Sequence, residues 1–112
     1  MTFQQVTLMI ESFGLPYAYY QFPEGTDQPC PFICFFYSGS GDVYADNINY
    51  QDIRKLNIEL YTSTRDLTLE AVIEEFLKDN GFSYYREPNY IDTEKMWQIA
   101  YEMEVMINGK QS

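Results

Sequence analysis

Between Lys55 and Thr62 the sequence alternates apolar and polar residues with period 2, and a few residues later Leu69, Val72, Ile73, Phe76 and Leu77 recur with a period of 3.6. The first pattern is that of a strand with one buried face, Leu56, Ile58 and Leu60 turned to a core and Lys55, Asn57 and Glu59 turned away. The second is that of an amphipathic helix. Thr64-Arg65-Asp66 turns the chain between them, with Asp66 or Thr68 as the helix cap, Glu70 in the first turn, a Glu74/Lys78 pair and Gly81 as terminator near Asn80. A strand that hands over directly to a helix of this kind points to a domain in which the helix packs on the sheet.

The remaining segments fit around that unit. Thr2 and Gln5 have the spacing of a capping box, after which Phe3, Val6, Met9, Ile10 and Phe13 mark one helix face, ended by Gly14. Residues 17–22 are an aromatic run with strand preference, the 23–27 segment is a turn, and residues 31–37 are a second strand, which together predict a hairpin. The 31–37 run is apolar on both faces, as expected for a strand covered by helices on one side and by a loop or neighbouring subunit on the other. Pro29 and Pro31 belong at its start or on an edge. After the corner at 38–41 comes an irregular stretch in which Tyr44, Ile48 and Tyr50 are apolar residues with no periodic partner, and so candidates for an interface. Strands are expected at 53–62, 82–86 and 96–107, and a frayed tail at 108–112. The fold class is α+β, an antiparallel sheet of four to five strands with two helices packed on one face, in the order α-β-β-β-α-β-β, forming a single domain over 1–112.

Charge and composition exclude several functions. The net charge is −10 with only seven Lys and Arg, which are scattered, so no cationic stripe is present for specific nucleic-acid binding. The longest apolar run is far short of the ~20 residues that cross a bilayer, and the chain does not open on a basic, then apolar, leader, so no membrane partner is expected. Cys30 and Cys34 are four apart, about 13 Å along an extended strand, beyond disulfide reach. Without any His, a metal site would lack ligands, and neither metal nor cofactor is expected. Glu102 and Glu104 share the polar side of one strand, a pairing more typical of solvated surface than of a hydrolase, and no triad or phosphate-binding loop is present. The chain is not expected to be an enzyme. Eleven Tyr and eight Phe exceed what a core of this size needs, which points to protein interfaces.

Leu15-Pro16-Tyr17-Ala18-Tyr19 with Phe22 and Glu24-Gly25, then Pro31-Phe32-Ile33, Ala45-Asp46-Asn47 with Tyr50, Ile58-Glu59-Leu60-Tyr61-Thr62 and finally Ile91-Asp92-Thr93-Glu94-Lys95-Met96 follow one another in an order that resembles the tail-terminator, or tail-completion, proteins of long-tailed phages and Gram-positive prophages. The resemblance runs from Leu15 to about Val105 and rests on order and spacing. It implies a small α+β subunit that forms a ring, usually a hexamer, on the end of the tail tube, stops tube polymerisation and meets the head connector. The implied partners are further copies of the chain, the tail tube protein and the head-tail connector protein, in the host cytoplasm during assembly and then in the virion tail. In such a ring Glu70, Glu74, Glu75, Glu102 and Glu104 are candidates to face the lumen or its rim, where carboxylates repel passing DNA. The alternative from a different class is an acidic DNA mimic that inhibits a host nuclease or restriction enzyme, which would need its carboxylates spaced along one exposed face.

Overall fold

A computed structural model describes residues 1–38 and 52–107, with the side chain of Asp52 excepted. Thr2 accepts the backbone N–H of Gln5 while the Gln5 side chain accepts that of Thr2, and this reciprocal cap starts α1 (Phe3–Glu11). Gly14 ends the turn that follows, at the positive φ of 79° that a side chain resists. Next come β1 (Tyr17–Tyr19), β2 (Phe32–Ser38) and β3 (Asp52–Thr62). Helix α2 (Leu67–Asp79) is capped by the Asp66 carboxylate, which accepts from the Leu69 N–H at 3.0 Å. Strands β4 (Tyr84–Ile91) and β5 (Met96–Ile107) form a hairpin.

The described strands make one five-stranded sheet in the order β1-β2-β3-β5-β4. The element order is the expected α-β-β-β-α-β-β, and the sheet is antiparallel except at one edge. That edge corrects the expected hairpin at its start: β1 runs parallel to β2, with Tyr17 beside Ile33 and Tyr19 beside Phe35. The aromatic run does not continue as a strand to residue 22, because Tyr20 takes a φ of 71° and the Gln21 N–H bonds back to the Tyr19 carbonyl at 2.8 Å, a γ-turn that swings the chain out of the sheet. Residues 20–31 then cross the sheet end and return, supplying the dozen or so residues that a parallel connection requires. At the other edge β4 extends past the expected end at Arg86 to Ile91, and tolerates Pro88 because its outer side has no described neighbour.

Both helices pack on one face of the sheet. Val6, Met9 and Ile10 of α1 and Ile73 and Leu77 of α2 join Leu56, Ile58 and Leu60 of β3 and Ile99, Tyr101, Met103 and Val105 of β5 in one buried cluster. Each fully buried Leu or Ile here contributes roughly 1.5–3 kcal/mol, so the two long central strands carry most of the core. Phe13 meets Phe76 edge-on at 5.3 Å between ring centres and joins the helices, and Phe3 meets Tyr37 in the same way at 5.1 Å. One expected core residue is not there: Val72 is 45% exposed, and Glu70 takes its place on the buried face of α2.

Candidate interaction surface

Residues alternate across a strand, so the side chains interleaved with the core set form the opposite face of the sheet. No described helix covers this face. From β2 it receives Phe32, Cys34 and Phe36, from β3 Lys55, Asn57, Glu59 and Tyr61, from β5 Gln98, Ala100, Glu102 and Glu104, and from β4 Tyr85 and Glu87. Its two halves differ. Toward β4, Asn57 and Tyr85 flank Glu102 in register, Lys55 stands opposite Glu104, and Tyr85 is 83% exposed. Toward β2, aromatic rings from the 20–31 segment fold down on the strands: Tyr20 on Phe36 at 5.7 Å and Phe22 edge-on to Phe32 at 5.4 Å, with Phe32 stacked flat on Tyr61 at 4.8 Å. The expectation that 31–37 is covered on both sides is met here by helices and by this segment of the same chain.

Between that segment and the tip of the β4–β5 hairpin lies an open groove of about 500 Å³. Its floor is Phe32, Cys34, Glu59 and Tyr61, and Ile91, Glu94 and Met96 form the far wall. The Tyr61 hydroxyl donates to Glu59 Oε1 at 2.8 Å and accepts from Gln98 Nε2 at 2.9 Å. Burial, together with the Glu59 carboxylate, holds the Tyr61 phenol well above its usual pKa. Burial first and then the Glu59 charge push the Cys34 thiol up to about 11, so it is a poor nucleophile at neutral pH. Cys30 is raised by burial alone, and both cysteines are free.

The five candidate lumen carboxylates do not share a surface. Glu102 and Glu104 lie on the uncovered face, whereas Glu70, Glu74 and Glu75 belong to α2 on the other side of the sheet. Glu70 cannot repel a passing strand of DNA, because it is only 1% exposed. Arg65 Nε donates to it at 2.7 Å and Arg65 Nη2 at 3.2 Å, and Arg86 Nη1 reaches it at 3.5 Å. Glu74 accepts from Arg86 at 3.1 Å and from the buried Tyr101 hydroxyl at 2.9 Å, contacts that turn it into the network as well. Burial, followed by the Glu74 hydrogen bond and charge, raises the Tyr101 phenol strongly. Arg65 also lies 5.1 Å over the Trp97 ring. A buried carboxylate is tolerable only with such partners. Glu75 is exposed on α2. The candidate interface residues Tyr44, Ile48 and Tyr50, and the tail 108–112, fall outside the described residues.

Sequence reasoning overlooked the role of Glu70, yet a signal was present: it precedes Ile73 by three positions and Leu77 by seven, which places it on the apolar stripe. The groove had no comparable signal, since it depends on where the 20–31 segment lands. Among the described residues no three His, Cys, Asp or Glu side chains converge as metal ligands, and no helix is long and apolar enough to cross a membrane. The described architecture is therefore an α+β scaffold with one packed face and one uncovered face that presents tyrosine, carboxylates and an aromatic groove.

No protein-family model and no curated protein matches the sequence. In three dimensions the chain is similar to a chain from the virion of a native gene transfer agent particle, with a TM-score of 0.58 at 11% identity, over 96% of this chain and 91% of that one. At that identity the likeness is one of fold, and it extends over nearly the whole of both chains.

Proposed function

We propose that the chain is a structural protein of a phage-like virion, and within that class a tail-completion subunit that forms a ring on the tail tube, ends tube polymerisation and helps join the tail to the head connector. The observation that carries this reading is the end-to-end similarity in fold to a virion chain. The ordered resemblance in sequence to tail terminators supports the narrower role. The ring is a hexamer in this reading, assembled in the host cytoplasm and kept in the virion tail.

Like-charged subunits at a net −10 repel, so the isolated chain is expected to be a monomer or weak oligomer at low salt that closes into rings as salt rises or a tube end is offered. The deciding experiment adds the purified chain to polymerising tail tubes and follows tube length and end structure by electron microscopy. Capped tubes of arrested length support the role, and undiminished elongation with bare ends overturns it. Tyr44 and Ile48 remain proposed interface residues together with Tyr50: replacing the first two by Ser abolishes ring formation while the monomer stays folded. Of the lumen candidates, the pair Glu102 and Glu104 is retained as facing the DNA channel. Their reversal to Lys leaves ring formation intact and slows DNA ejection. The DNA-mimic alternative is the weaker reading, because Glu70 and Glu74 are engaged in internal ion pairs and, of the other candidate carboxylates, Glu75 on α2 lies across the sheet from Glu102 and Glu104.

A further inference from the structure

We propose that the groove between residues 20–31 and the β4–β5 hairpin tip receives an arginine side chain from a basic partner protein. Five aromatic residues line it, Tyr20, Phe22, Phe32, Phe36 and Tyr61, with the Phe32 and Tyr61 rings stacked on each other and Phe22 set edge-on to Phe32. Three carboxylates, Asp27, Glu59 and Glu94, also line it, and among the described residues no Lys or Arg does. A planar guanidinium suits both features: it packs favourably against aromatic rings and its fork of N–H donors pairs with a carboxylate, whereas an ammonium offers only a point charge.

Charge complementarity selects the partner. A second copy of this chain carries the same −10, and three of its seven basic residues are already engaged, Arg65 and Arg86 by the α2 carboxylates and Arg54 over Phe3. A different protein with a basic, arginine-bearing segment meets the groove without that repulsion. The inference needs no assumption about tails or rings.

The test uses the full chain carrying Cys30→Ser, so that Cys34 on the groove floor is the only thiol, and an amidated tetra-arginine peptide at about 0.15 M salt. Amide shifts in nuclear magnetic resonance spectra should concentrate at Phe32, Cys34, Tyr61 and Met96. Peptide at about twice its Kd should slow alkylation of Cys34 about threefold. Glu59→Gln and Glu94→Gln should each weaken binding about fivefold, and Glu104→Gln, on the same face outside the groove, less than about twofold. Glu94 is exposed, so its variant reports on binding without a risk to folding. Equal losses from Glu104→Gln and Glu59→Gln would show diffuse attraction to an acidic protein and overturn the site. Equal affinity for tetra-lysine would overturn the preference for guanidinium, and the same shifts appearing on concentration alone would assign the groove to a second copy instead.

Discussion

On β3, Leu56, Ile58 and Leu60 are buried under two helices, while their immediate neighbours Lys55, Asn57 and Glu59 look out from the other side of the sheet. The two faces answer to different constraints. The helix-covered face is close-packed and closes the buried charge of Glu70 with arginines, so almost any change there is felt by the whole fold. The uncovered face holds its residues in register through the same backbone but asks little of their side chains. Where that face does acquire packing, at Phe22, Phe32 and Tyr61, the cover comes from a loop and leaves a groove.

The sharpest way to break the comparison is to substitute adjacent residues of one strand. Leu60→Ala should destabilise by about 2–5 kcal/mol in urea unfolding, while Glu59→Gln next to it costs less than about 1 kcal/mol. Similar losses for the two would mean that the uncovered face is packed after all. Glu70→Ala comes next, with an expected cost of about 2–3 kcal/mol. That is below the cost of a fully buried pair because Arg65 and Arg86 keep 30% and 42% of their exposure and can be rehydrated.

Alkaline pH acts on both faces, and more gently. Tyr101 and Tyr61 are raised well above the ordinary phenol, Tyr37 to about 12 and Cys34 to about 11. The neutral forms are bound in the fold and the unfolded groups ionise first, so the stability they confer is complete below about pH 9 and is lost as pH climbs to 12 and above. Urea midpoints measured between pH 8 and 11.5 should fall steadily. Tyr101→Phe should cost about 1 kcal/mol at neutral pH, through loss of its bond to Glu74, and flatten that fall. The smallest effect is expected at Tyr85, where replacement by Ala should change stability by less than about 0.5 kcal/mol. If that variant also assembles normally, this half of the face is not a contact surface.

Long periodic elements were legible in the sequence, and short or exceptional ones were not. The alternation from Trp97 to Ile107 specifies β5, and Asp66 with the Ile73/Leu77 stripe specifies α2, because twelve or thirteen residues repeat one signal. Three-residue β1 repeats nothing, and its direction is decided by the unusual backbone of Tyr20, which no composition rule anticipates. Glu70 was misread for a related reason: a carboxylate is normally solvated, and only its arginine partners, one of them on β4, reverse that preference. The groove unites residues from the 20–31 segment, β2, β3 and the hairpin tip, and such a meeting is a property of topology.

Glu70 and Glu74 bind Arg65 before α2, Arg86 on β4 and, through Tyr101, β5. An edge strand whose interior is as exposed as that of β4 would ordinarily fray alone. Here, pulling β4 away removes Arg86 from two carboxylates, one of them sealed in the interior, so opening the edge and undocking the helix share a penalty. Amide hydrogen exchange should accordingly report α2 and the β4 segment around Arg86 as one cooperative unit, slower than the rest of that strand.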